Sequence, residues 1–284
     1  MDDKTFLIVG ANGQLGTALK QKYPNAKAVD KNELDISDRK SVENFDWSNI
    51  KVILNAAAYT NVAGAETPEG RILAQKVNDE AVANLAEVAT KHDLILVHIS
   101  TDYIFDGTKS PHAEDEHPNP LNVYGQTKAG GDKYVIKLPK HYLIRTSWVI
   151  GEGKNFVRVM LELGRKNINP IVISDQIGRL TFTHELVRAI DHLLVTKAPY
   201  GTYNVSNGGQ PASWAEITRQ IFKEAAYKNS VSDTTTIEYF KGKPDGARRP
   251  LNSVFNLSKI ESTGFKPRNW QDDLAEYISK EIKK

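Results

Sequence analysis

The chain has 284 residues, 40% of them hydrophobic and 25% charged, a balance that supports a sizeable buried core. A formal net charge of +2 offers no basic field to a nucleic acid, and the short apolar run after the amino-terminal Met-Asp-Asp-Lys is too brief for a signal peptide or a membrane span. The absence of cysteine excludes disulfides, thiolate-held zinc and a thiol nucleophile, and the chain reads as cytoplasmic.

In chain order, residues 6–9 form a short apolar run that ends at Gly10, the pattern of a buried parallel strand. GANGQLG follows, with Gly10, Gly13 and Gly16 three residues apart, and then Leu15, Leu19 and Tyr23 keep helical spacing up to Pro24. Strand, glycine turn and helix in this order let a backbone approach a pyrophosphate while the helix amino end presents N–H groups to it. A second strand, 26–29, ends in Asp30, twenty residues after Gly10, where a carboxylate can hold an adenosine ribose. Lys31 beside it can tolerate a 2′-phosphate, so the choice between the two dinucleotides stays open. In LDISD, Asp35 and Ile36 are placed to flank an adenine, and Asp38 to cap a helix.

Residues 51–54 read as a third strand running into NAAAYT, whose small side chains at 56–58 suit a flat ligand lying on the backbone. A helical stripe then runs over 68–92, and 94–99 make a fourth strand with Ser100, Thr101 and Asp102 at its carboxyl end, the edge that faces the ligand crevice in open parallel sheets. A loop with several prolines, 106–120, leads to a helix that carries Tyr124 and Lys128. Four residues apart, these two share one helix face. A lysine cation so placed is expected to lower the pKa of the phenol and fit it for proton transfer near neutral pH.

Residues 142–146 give a fifth strand, and the alternation to this point predicts a doubly wound parallel sheet with right-handed crossovers. The pattern changes after Gly151: a helix over 156–163, a strand at 171–173, a polar loop at 175–181 (DQIGRLT), a helix over 186–194, a strand at 200–205, a helix from Ser213 with Glu216 completing a capping box, a basic loop GARRPLNS, and a closing helix over 270–282. The expected organisation is α/β: a Rossmann-type dinucleotide domain over 1–150, to which later segments return, and a smaller, interleaved α/β substrate domain mainly over 151–284. The seven histidines show no metal-ligand spacing, and no metal is expected.

GANGQLG, NAAAYT, STDYIFDG at 100–107, NPLNVYGQTK up to residue 128, RTSW, GKNF, DQIG and RPLNS stand in one order along the chain. In this the chain resembles the extended short-chain dehydrogenase/reductases, and within them the dTDP-4-dehydrorhamnose reductase branch. The resemblance implies NADPH-dependent reduction, with NADH as the alternative donor, of dTDP-4-dehydro-L-rhamnose to dTDP-L-rhamnose, the last step of dTDP-rhamnose biosynthesis. A silent dinucleotide-binding regulatory subunit, or an epimerase or dehydratase of the same superfamily, is the competing reading. The resemblance makes Tyr124 the proton donor, Lys128 its partner and holder of the nicotinamide ribose, and Thr101 a donor to the reacting oxygen. It gives Gly10, Asn12, Gly13, Gln14 and Leu15 to the pyrophosphate turn, and Asp30, Asp35, Ile36, Ala57, Ala58, Tyr59 and Thr60 to the rest of the cofactor. Val62, Asp102, Trp148, Asn155 and Arg249 fall to the sugar nucleotide, Arg249 to its diphosphate. It implies a monomer or homodimer. The chain departs from the branch at Ala63 and Gly64, where an Asp–Lys pair is usual, and at Asp132, Ile150 and Leu180.

Overall fold

The computed structural model describes residues 2–242 and 246–283. Six parallel strands make the central sheet: β1 (Phe6–Val9), β2 (Lys27–Val29), β3 (Val52–Asn55), β4 (Ile95–Thr101), β5 (His141–Thr146) and a strand that returns from the carboxyl-terminal half, Gly201–Asn204. The spatial order runs returning strand, β5, β4, β3, β1, β2. Winding therefore reverses between β1 and β3, and a crevice opens at their carboxyl ends. Alternate residues of the strands point to opposite faces, and the core divides accordingly. Phe6, Ile8, Val52, Leu54, Tyr142 and Ile144 join one hydrophobic cluster, while Leu7, Val9, Ile53, Leu96 and Leu143 join a second. Helices cover both faces, so the strands read as continuous apolar runs rather than alternating ones.

The long helical stripe at 68–92 is not one helix. It is α3 (Pro68–Gln75) and α4 (Ala81–Lys91), joined through a π-helical turn, Lys76–Glu80. The wider turn carries the fully buried Asn78, which accepts from the Tyr59 amide at 2.9 Å and donates to the Tyr59 carbonyl and the Thr127 hydroxyl, both at 3.1 Å. It also brings the backbone against α5 (Val123–Val135), where a methyl on Gly131 would lie 2.2 Å from the Asn78 carbonyl oxygen. A π-turn of this kind leaves the apolar periodicity almost unchanged, so spacing alone does not reveal it.

Beyond β5, a third hydrophobic cluster gathers α6 (Phe156–Arg165), α8 (Trp214–Glu224) and the closing helix Trp270–Ile282. DQIGRLT, expected to be a plain loop, holds two short strands. Ile177–Gly178 pairs with Ala212–Ser213, and Thr181–Phe182 with Val149–Ile150. Ser213 and Glu216 form the expected capping box at the start of α8.

Candidate functional site

Two adjoining cavities follow the crevice at the carboxyl edge of the sheet. The larger, about 700 Å³, is lined by residues 12–15 of the glycine turn, by Ala56, Ala57, Ala58, Thr60 and Val62, by the end of β4, by Tyr124 and Lys128, and by Trp148 and Trp214. The smaller, about 160 Å³, is lined by Gly10, Asp30, Asp35 and Ile36, and meets the first at Asn12 and Ala57. Of the residues singled out from sequence, Asn12, Gly13, Gln14, Leu15, Ala57, Ala58, Thr60, Val62, Thr101, Asp102, Tyr124, Lys128 and Trp148 face the larger cavity.

Tyr59, Asn155 and Arg249 stand outside both linings. Tyr59 is held to Asn78 through its backbone and packs against the small cluster of Ala65, Ala74 and Val123. Asn155 caps α6 and donates to the Gly151 carbonyl and the Tyr277 hydroxyl. Arg249 lies over the Phe240 ring at 4.3 Å and donates to the Ala247 carbonyl, with its charge acting on the Tyr103 phenol. Its guanidinium is thus engaged with its own chain.

The glycine turn is shaped by close approach. Gly10 has φ +75°, and a methyl there would lie 2.6 Å from the Ala57 amide nitrogen. One on Gly16 would lie 2.2 Å from the Gly10 carbonyl oxygen. The first helix, α1 (Gln14–Lys22), starts at Gly13 with no side-chain cap, whereas Asn122, Asn155 and Ser213 cap their own helices. The first-turn N–H groups and the positive end of α1 are thus turned to the crevice, the donor set an anionic pyrophosphate requires. At the far end, Asp30 accepts from Asn12 Nδ2 at 3.1 Å and from the Asn32 amide at 2.8 Å, which sets its carboxylate on the rim. These residues fit a dinucleotide.

The Tyr124 end of the crevice is built largely from buried side chains. Asn122 caps α5 by accepting from the Gly125 amide at 2.8 Å and donates to the Arg248 carbonyl at 2.6 Å. Gly125 lets α5 come against the end of β4, because a methyl there would stand 2.1 Å from the Tyr103 carbonyl oxygen. The Tyr124 phenol is thereby placed beside Thr101, on the lining of the same cavity. Thr101 donates to Asp102 Oδ1 at 3.0 Å, and Ser253 donates to Asp102 Oδ2 at 2.5 Å. Burial raises the pKa of Asp102 to about 6, partly offset by the bonds from Ser253 and Thr101.

The expected lowering of the Tyr124 pKa is not what the structure gives. Burial pushes the phenol above its ordinary range; the bond to Thr101 opposes this, and the carboxylates of Asp102 and Asp132 add to it. Lys128, 1% exposed, is turned the other way: Nζ donates to the Ile99 carbonyl at 2.6 Å and lies 3.2 Å from His98 Nε2. Burial lowers the Lys128 pKa to about 8, against an upward pull from Asp132. A shared helix face puts the two side chains one turn apart; the direction of the ammonium is decided by β4.

Sequence reasoning passed over Asn78, His98, Ser253 and Trp214. Trp148, at φ +49°, stacks on Trp214 with ring centroids 3.7 Å apart, so part of the cavity wall is a double indole. Ser253 lies in RPLNS and was the one of these with a visible signal.

The family described as RmlD substrate binding domain matches residues 4–282. The chain belongs to this family. It is similar to the dTDP-4-dehydrorhamnose reductase of Aggregatibacter actinomycetemcomitans, with 38% identity over 95% of this chain and 96% of that one. The crystal structure of a dTDP-4-dehydrorhamnose reductase from Clostridium acetobutylicum superposes with a TM-score of 0.89, at 36% identity over 96% of this chain and 98% of that one. The enzyme of the same name from Bacillus anthracis, in complex with NADP, superposes at 0.88, with 34% identity over 97% and 98%.

Proposed function

We propose that this chain is an NAD(P)H-dependent oxidoreductase that reduces dTDP-4-dehydro-L-rhamnose to dTDP-L-rhamnose. The observation that carries the reading is the meeting, in one crevice, of an uncapped glycine turn with Tyr124, Thr101 and Lys128. Gly10, Asn12, Gly13, Gln14 and Leu15 would hold the pyrophosphate, Asp30, Asp35 and Ile36 the adenosine, and Ala57, Ala58 and Thr60 the floor beneath the nicotinamide half. When bound, the dinucleotide supplies the hydride. Tyr124 gives its phenolic proton to the oxygen of the reacting carbonyl. Its raised pKa keeps the phenol protonated at neutral pH, the state a donor needs, and an alkoxide is basic enough to take the proton from it. Thr101, beside Tyr124 and bonded to Asp102, directs that oxygen. Lys128 is the cation available one turn away to steady the tyrosinate left behind. Val62, Asp102 and the Trp148–Trp214 wall receive the sugar. Residues 1–150 serve mainly the dinucleotide and 151–284 mainly the sugar nucleotide.

Among the described residues no helix is long and apolar enough to cross a membrane, and no group of three His, Asp or Glu residues could hold a metal. We place the reaction in the cytoplasm, carried out by a monomer or homodimer without nucleic acid or membrane. The test is loss of NADPH or NADH on addition of dTDP-4-dehydro-L-rhamnose, with the UDP analogue as control. Stoichiometric oxidation with formation of the deoxyhexose product is expected. Dinucleotide binding without turnover would turn the reading to a regulatory subunit, and conversion of sugar without net oxidation to an epimerase or dehydratase.

A further inference from the structure

Behind Lys128, on the side away from the crevice, lie two buried side chains that the reduction has not used: Asn55 at the end of β3 and His98 within β4. Asn55 Oδ1 accepts from the Ala57 amide at 3.1 Å. That bond fixes which way the Asn55 amide faces. The atom it turns to His98 Nδ1, at 2.9 Å, is the NH₂ nitrogen, a donor. Nδ1 must then be the bare, accepting nitrogen, and a neutral imidazole with a bare Nδ1 carries its hydrogen on Nε2. Nε2 faces Lys128 Nζ at 3.2 Å. An ammonium has three donors and no acceptor, so a charged Lys128 would set donor against donor, whereas the lone pair of a free amine receives the Nε2–H. One amine hydrogen is already spent on the Ile99 carbonyl. Asp132 Oδ1, which has no partner, stands 3.9 Å from Nε2 and is too far to take the hydrogen instead.

We propose that Asn55 and His98 are positioning residues that set the charge of Lys128: by holding the imidazole hydrogen on Nε2, they favour the free amine in the ligand-free protein. The inference rests on Lys128 serving Tyr124 as a cation, as described above. The charged and titratable groups around the pair are Asp132 and Tyr124 from α5, Asp102 from the end of β4, and Arg145 from β5. Asp132 favours the ammonium, and Arg145 blunts this by drawing on the same carboxylate. Burial and the neighbouring lysine both push His98 well below its ordinary range, which keeps the ring neutral. A lysine poised near neutrality gives the reductase a basic limb: the cation is present below its pKa, is lost as pH rises through it, and turnover falls with it.

Two measurements test this. In the ligand-free full-length protein, ¹⁵N spectra of the histidine rings, with His98 assigned by its loss in His98→Gln, should show the hydrogen on Nε2. Finding it on Nδ1, or on both nitrogens, overturns the proposal. Asn55→Ala removes the donor that pins the ring without adding charge, so the imidazole can turn a bare Nε2 to the ammonium. The basic limb of kcat/KM should then move up by about one pH unit. A folded Asn55→Ala protein with an unmoved limb also overturns the proposal. The spectra need neither the variant to fold nor a substrate, so they decide the tautomer even if the chain reduces no keto-sugar.

Discussion

At the glycine turn, what the protein offers a ligand is backbone: the open N–H groups of α1, with Gly10 and Gly16 approached so closely that a methyl on either would strike main-chain atoms. At the other end of the crevice it offers side chains, several of them bonded to partners far away in sequence: Asp102 to Ser253, Asn122 to Arg248, Lys128 to β4. The first region depends on local conformation. The second depends on tertiary contacts that tune ionisation in a dry environment, where small displacements change pKa values. Substitutions in the two regions should therefore fail differently, the turn through affinity for the dinucleotide and the Tyr124 end through turnover.

The largest effect is expected at Tyr124. Tyr124→Phe removes the transferable proton and keeps the ring that packs edge-on against Tyr103 at 5.7 Å. Turnover should drop by roughly 10²–10⁴-fold, the usual worth of a positioned acid, with dinucleotide binding by fluorescence nearly intact. Turnover at the parental rate would end the assignment of Tyr124 as the acid. Gly125→Ala comes next. Its methyl would lie 2.1 Å from the Tyr103 carbonyl oxygen, a backbone atom that cannot turn aside, so α5 has to withdraw from the segment after β4 and carry the phenol away from Thr101. A loss of about 1–3 kcal/mol of stability, as for other overpacked sites, should accompany a fall in kcat larger than any rise in KM for NADPH. Equal changes in both would mean that the two ends of the crevice are not separable in this way.

How far these two regions could be read without coordinates follows the same division. GANGQLG announced a strand, turn and helix because the physics of a tight glycine turn is local. The alternation of β1 through β5 was legible because buried parallel strands are short apolar runs whatever they pack against. The capping box at Ser213 and Glu216 was legible for the same reason, since its two bonds close within one turn. The π-turn at Lys76–Glu80 was not, because what stabilises it is Asn78 reaching Tyr59 and Thr127. The expectation for the Tyr124 pKa failed in a similar manner. Helical spacing put Lys128 on the same face as Tyr124, but the Ile99 carbonyl and burial decide where its charge points and what the phenol feels. Ser253 sits 151 positions from Asp102, and no local pattern links them.

Asp102 gives a pH test confined to the Tyr124 end. Its pKa rises from 3.8 to about 6 on folding, chiefly through burial, so between those values the native protein binds a proton that the unfolded chain has released. Stability from this group is highest below the unfolded pKa and declines as pH rises to about 6. At about 1.4 kcal/mol per pH unit the full change is on the order of 3 kcal/mol. Asp102→Asn should remove that slope, so the Tm difference, variant minus parent, should grow from pH 4 to 6 and level off above. A constant difference across that range would mean the carboxyl is not held in its raised state.

The smallest effect is expected at the rim of the turn, where water screens charge. Asp30 is half-exposed and holds its carboxylate toward the smaller cavity through Asn12 and the Asn32 amide. A carboxylate there accepts from two ribose hydroxyls and repels a 2′-phosphate. Lys31 does not cancel it, because its Nζ lies 3.5 Å from Asp35 and is drawn to that carboxylate instead. Asp30→Ser keeps an acceptor and removes the charge, so the Kd ratio of NADPH to NADH should move toward NADPH by about tenfold, roughly 1.4 kcal/mol. Titration of each dinucleotide by fluorescence, without substrate, reads this directly. Because Asp30 lies at the opposite end of the crevice from Tyr124, kcat with saturating NADH should stay within about twofold, the additivity expected of distant sites. A preference unmoved by the substitution would leave the backbone of the turn, rather than the rim carboxylate, as the part of the protein that selects the dinucleotide.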